Sequence, residues 1–164
     1  MAIAHRITPC LWFDTQAEEA AEFYISIFPN SRITRIMRYG KEGYEIHGKP
    51  AGSVLTVDFE LDGQPFIAFN GGPQFPFTEA ISLSITCADQ REVDHYWERL
   101  TDGGEESACG WLKDRYGVSW QVVPDALNRL LADPDLEKTE RVMHALLQMA
   151  KLDIAALERA YAGA

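Results

Sequence analysis

Few side chains in this sequence have the type and spacing to do chemistry, and Asp58 stands first among them. It lies on a strand that runs into Asp62-Gly63, a dipeptide typical of two-residue hairpin loops. That loop makes Leu61 oppose Gln64, so Asp58 opposes Ile67 and Thr56 opposes Phe69. Opposed residues share a sheet face. Burial disfavours the charged form of a carboxylate and makes it a stronger proton acceptor, so Asp58 is the candidate catalytic base. A second set comes from the alternation in Ile81-Ser82-Leu83-Ser84-Ile85-Thr86-Cys87. Ile81, Leu83, Ile85 and Cys87 form an apolar face to lie under a helix, which turns Ser82, Ser84 and Thr86 the other way. Ser119 and Gln121 join them from a later strand, while Trp120 faces the helices and Trp111 stands at the rim. Thr56, Ile67, Phe69, Ser82, Ser84, Thr86, Trp111, Ser119 and Gln121 are therefore the candidate ligand contacts. The same alternation also describes a sheet with one solvated side.

Other reactive groups are weaker. Cys10, Cys87 and Cys109 are odd in number and lack metal-ligand spacing, and Cys10 and Cys87, with no evident histidine partner, read as core thiols. His5, His47, His95 and His144 are scattered, with His95 on the solvated side of a helix. Trp12, Trp97, Trp111 and Trp120 read mostly as core, with a place at the rim as the other reading of Trp111.

The elements that position these residues occur twice. Residues 6–13 predict a strand with Pro9 at an edge or bulge. Thr15 and Glu18 have capping-box spacing, and Ala20, Phe23, Tyr24, Ile27 and Phe28 make one helical stripe. Strands at 32–39, 53–61 and 65–69 follow, the first two separated by a polar insert, Gly40 to Gly52. Asn70 to Pro76 reads as a linker. The pattern then restarts with strand 81–87, the Asp89/Glu92 cap, a stripe of Val93, Tyr96, Trp97 and Leu100, a short strand near 105–109, and a hairpin. In that hairpin Asp114 to Gly117 form the turn and Pro124 ends the last strand. Both halves thus read as βαβββ. Beyond Pro124 the chain predicts helices: one over 125–132, one capped by Asp133-Pro134, and one capped by Asp153. Leu127, Leu130, Leu131, Val142, Met143, Leu146, Leu147 and Leu157 give this tail amphipathic stripes that must pack on their own domain or on another subunit.

Composition bounds the setting. A chain of 164 residues supports a real core, and a net charge of -10 repels phosphate backbones, so nucleic acid is a poor partner. No apolar run reaches the roughly 20 residues of a membrane span. The N-terminus lacks the apolar core of a secretory signal, so the expected location is cytoplasmic and no membrane partner is expected.

The tandem βαβββ pattern resembles the glyoxalase/bleomycin-resistance/dioxygenase (vicinal oxygen chelate) superfamily. More closely, the chain resembles its PhnB-like group, which carries the label 3-demethylubiquinone-9 3-methyltransferase domain. The matching phrases are Glu19-Ala20-Ala21-Glu22-Phe23-Tyr24, Phe69-Asn70-Gly71-Gly72-Pro73, Glu92-Val93-Asp94-His95-Tyr96-Trp97 and Gly110 to Pro124. The resemblance implies an α+β fold in which eight strands form a cup-shaped pair of sheets, and a homodimer. It gives a glyoxalase-like domain over 1–124, with units 1–73 and 74–124, and the helical tail over 125–164. It also implies where metal-dependent relatives hold a divalent ion: positions matching Ile7, Ile67, Ser82 and Gln121. None is His, Asp, Glu or Cys, and slipping by two along each strand adds only His5 as a possible ligand. No cofactor is therefore expected. The methyltransferase label finds no support in a Gly-rich strand-to-helix turn, because Gly71-Gly72 runs into Pro73. The expected function is small-molecule binding in the cup without a catalytic metal. The alternatives are an enzyme, metal-dependent or metal-free with Asp58 as base, and a purely structural dimer.

Overall fold

The computed structural model describes residues 5–164 and divides into two compact units, Met1–Pro76 and Phe77–Ala164.

The first unit is built on the Asp62-Gly63 turn. Both residues have positive φ, 46° and 79°, the conformation a two-residue hairpin loop requires. The turn joins β3 (Val54–Leu61) to β4 (Gln64–Asn70) in the register read from sequence, with Asp58 opposite Ile67 and Thr56 opposite Phe69. β1 (Cys10–Phe13) runs parallel to β4, and β2 (Arg32–Arg38) lies antiparallel on the far side of β3, giving the order β1-β4-β3-β2. Helix α1 (Ala17–Ile25) buries Ala17, Ala20, Ala21 and Tyr24 and contacts β3 and β4. Tyr24 stacks on Phe59, which stacks on Phe66. The insert forms a single turn, α2 (Tyr44–His47).

Three expectations change here. The first strand spans only Cys10–Phe13, not 6–13, because Pro9 has no N–H to give a ladder and serves only through its carbonyl, which accepts from Ile67 N at 2.9 Å. The start of α1 is not closed by a Thr15 box: its N-cap is Gln16, which makes no side-chain cap bond. Asn70 does the work from the sheet. Its Oδ1 accepts the Ala17 N–H at 2.8 Å and its Nδ2 donates to Val54 O at 3.1 Å. Asn70 is thus the buried last residue of β4 rather than the start of a linker.

The second unit repeats the arrangement. β5 (Ser82–Cys87) leads to α3 (Gln90–Thr101), then β6 (Glu105–Glu106), β7 (Trp111–Lys113) and β8 (Ser119–Pro124), with sheet order β5-β8-β7-β6. Here the cap is as read: Asp89 Oδ1 accepts from Glu92 N, while Glu92 Oε2 accepts from Ala88 N. α3 buries Val93, Tyr96, Trp97 and Leu100. Ile81 departs from expectation. It precedes β5 and is 78% exposed, so the apolar face starts at Leu83.

The tail comprises α4 (Asp125–Leu131), α5 (Leu136–Leu146) and α6 (Ile154–Ala162). Leu127, Val142, Leu146, Leu152 and Leu157 form a core of their own, flanked by Cys109 and Val123 of the second unit. Gln90 ties this core to α3, donating to Leu152 O at 3.0 Å and accepting from Ile154 N at 2.9 Å. The N-cap of α5 is Asp135, not Asp133. The Asp133 carboxylate is already taken by the Tyr161 hydroxyl and by Asp135 N, which closes a turn and starts the helix two residues later. Asp153 caps α6 as expected. Among the described residues, no helix is long and apolar enough to cross a membrane.

Candidate functional site

The ten candidate residues fall into two groups, one on the sheet face of each unit that is turned away from α1 or α3. In the first unit Thr56, Asp58, Ile67 and Phe69 share that face through the β3–β4 register. The parallel register of β1 adds Cys10 beside Ile67 and Trp12 beside Phe69, and β2 adds Arg35 beside Asp58 and Met37 beside Thr56. Asp58 is not a lone acid: its Oδ2 accepts from Arg35 Nε at 2.8 Å. Desolvation, and secondarily the Asp58 carboxylate, push the Cys10 thiol up. Trp12 stands edge-on to Phe69 at 4.7 Å and donates its indole N–H to Gly72 O at 2.8 Å. Gly71 makes that possible, since a Cβ there would lie 2.2 Å from the indole ring. Cys10, Trp12 and Arg35 escaped sequence reading because no tight turn fixes the pairing of β1 or β2, and a register shift breaks the latter.

In the second unit the parallel pairing of β5 and β8 sets Ser82 beside Ser119 and Ser84 beside Gln121, with Thr86 beside Val123. β7 sets Trp111 beside Gln121 and Lys113 beside Ser119. Gln121 Nε2 donates to Ser82 Oγ at 2.9 Å, while Ser84 and Thr86 are exposed. Ser119 is 2% exposed, and its hydroxyl oxygen is buried without a hydrogen-bond partner. A cavity of about 160 Å3 opens beside it, lined by Glu79, Glu105, Ser107, Trp111, Lys113 and Ser119 among others. The structure therefore brings Trp111 and Ser119 together at one cavity. Lys113 ion-pairs with Glu79. The hydrogen bond between them holds the Glu79 carboxyl below the usual range and raises Lys113. Glu79, Glu105, Ser107 and Lys113 carried little signal. β6 is too short to show an alternation, and Glu79 lies outside any strand.

The positions that the resemblance marks for metal ligands hold an exposed Ile7 in the segment before β1, Ile67 on β4, Ser82 on β5 and Gln121 on β8. Two alkyl chains, a hydroxyl and a neutral amide are a poor donor set for a divalent ion. His5 is exposed. Among the described residues, no three His, Cys, Asp or Glu side chains group closely enough to hold a metal.

Two sheets of matching order, each closed by a first strand parallel to its last, define a glyoxalase-superfamily fold. The chain belongs to the PhnB-like family, whose model is described as 3-demethylubiquinone-9 3-methyltransferase and matches residues 5–123. The PhnB protein of Bacillus cereus is 36% identical, with a TM-score of 0.65 over 73% of this chain and 99% of that one. A protein from Pseudomonas aeruginosa is similar in fold at 18% identity and a TM-score of 0.58, over 74% and 98% of the two chains. So is the fosfomycin resistance protein FosX from Listeria monocytogenes, at 17% identity and a TM-score of 0.51 over 80% and 100%. No curated protein matches the chain.

Proposed function

We propose that this chain binds a small organic molecule on the sheet faces turned away from α1 and α3 and does so without a catalytic metal. The cavity beside Ser119 and Trp111 carries the reading: it joins concavity, an aromatic wall and an unengaged buried hydroxyl on the face that the alternation of β5 and β8 exposes. The donor chemistry of Ile67, Ser82 and Gln121 supports the metal-free part. The engagement of Asp58 by Arg35 weighs against a free general base and so against the enzymatic alternative. Nothing in the Gly71-Gly72 segment supports a methyltransferase role, since that backbone serves to seat Trp12. The chain is further proposed to work in the cytoplasm as a homodimer.

A thermal-shift screen of small organic molecules on the full chain tests this reading. A ligand that binds only the folded state raises the melting temperature, by mass action. Hits whose shift persists in excess chelator and is lost in Trp111→Ala are expected. Hits that vanish with chelator would overturn the metal-free assignment, and hits indifferent to Trp111→Ala would move the site elsewhere.

A further inference from the structure

The charge and size of the Ser119 cavity say which kind of molecule suits it. Three carboxylates line it, Glu79, Glu105 and Glu106, against one ammonium, Lys113. Lys113 is spent on Glu79, and Glu106 Oε1 accepts the indole N–H of Trp97 at 2.9 Å. Glu105, opposite Lys113 in the β6–β7 register, lines the cavity as acid beyond that pair. Independently of this acidity, Ser119 Oγ is buried with no partner, a state that costs stability unless something in the cavity bonds it. Trp111 adds an aromatic wall, and the face of an indole attracts cations.

Resting on the small-molecule reading above, we propose that this cavity receives the primary ammonium headgroup of an organic cation. Its three N–H donors match one carboxylate of Glu105 and the lone pair of Ser119, with the alkyl stem against Trp111. Size agrees. At roughly 30 Å3 per water, the space equals about five waters, smaller than the roughly 300–1,000 Å3 of whole-ligand pockets. It holds a headgroup and leaves the rest of the molecule outside. An acidic chain with net charge -10 also gathers cations from solution.

The test is an amide and indole NMR titration of the full chain with n-propylammonium chloride, 1-propanol and sodium propionate at fixed ionic strength. Propylammonium is expected to give saturable shifts centred on Ser119, Lys113 and the Trp111 indole. Propanol should act more weakly and propionate not at all. Glu105→Gln should weaken propylammonium about tenfold, the loss of one charge-assisted bond. Ser119→Ala should also weaken it, and Glu140→Gln on α5, an equal change in charge, should leave it unchanged. Indifference to Glu105→Gln, or an equal response to propionate, would overturn the proposal. If propanol or propionate saturates these residues and propylammonium does not, the cation assignment falls while small-molecule binding stands. If no probe perturbs Ser119 or Trp111, both readings of this cavity fall.

Discussion

The indole N–H of Trp120 donates to Oδ2 of Asp114 at 2.8 Å, across the turn that joins β7 to β8. The other oxygen of the same buried carboxylate accepts from Tyr116 N at 2.8 Å and Val118 N at 3.1 Å. One acid therefore organises both the backbone of the turn and the aromatic core beneath it, and Gly117 supplies the positive φ, 86°, that closes the loop. The register of β7 on β8 depends on this turn, and that register sets Trp111 and Lys113 beside Gln121 and Ser119.

Asp114→Ala is accordingly expected to lower stability by about 3 kcal/mol, because two backbone amides and an indole lose a charged acceptor at once. Urea unfolding followed by tryptophan fluorescence measures the loss. A change below about 0.5 kcal/mol, typical of surface substitutions, would show that the turn holds without the acid.

Gly71→Ala tests the seat of Trp12. The added methyl would overlap the indole, which must then leave Gly72 O and its edge-on contact with Phe69. Overpacking of this kind costs about 1–3 kcal/mol, and the tryptophan emission should shift to the red. An unchanged spectrum would mean that the ring moves aside within its packed surroundings.

The β3–β4 register, the α3 cap and the Gly117 turn were legible in the sequence because local chemistry fixes each of them. A two-residue Asp-Gly loop leaves one pairing for Asp58 and Thr56, and an Asp three residues before a Glu leaves one start for α3. What was not legible is held by partners distant in sequence. Asn70 caps α1 from 53 residues away, so the nearby Thr15 looked like the better choice. Asp133 is drawn to Tyr161, 28 residues on, which shifts the start of α5. The cavity residues Glu79 and Glu105 come from short or irregular segments where period two has no length in which to appear. The pairing of β6 with β7 and of β7 with β8 assembles that site.

The cysteines give a pH signature. Burial first, and then the carboxylates of Glu92 and Asp89, push the Cys87 thiol from 9.0 up to about 12. Between those values the folded protein keeps a proton that the unfolded chain has lost. Unfolding thus releases a proton there, and stability is expected to fall as pH rises from 9.0 towards 12. Cys87→Ala should flatten that decline. At pH 8.5 a thiol reagent should label Cys10 in the native protein and spare Cys87 until urea opens the fold. Native labelling of Cys87 at the rate of Cys10 would contradict its burial.

The proposed homodimer gains a specific surface from the tail. Leu127, Val142, Leu146 and Leu157 are satisfied within their own chain, so they cannot be what a partner covers. Leu136, Met143 and Leu147 are different: they recur at spacings of seven and four along α5 and its C-cap and remain 73%, 41% and 59% exposed. Covering each side chain fully would contribute roughly 1.5–3 kcal/mol, and a two-fold contact uses the same stripe on both copies. Sedimentation of the full chain is expected to give twice the 18.4 kDa monomer mass. The double substitution Met143→Glu and Leu147→Glu should yield a folded monomer, since both positions lie outside the tail core. If the wild-type chain stays at 18.4 kDa up to high micromolar concentration, the dimer proposal fails. If the double variant remains dimeric, the partner sits on another face.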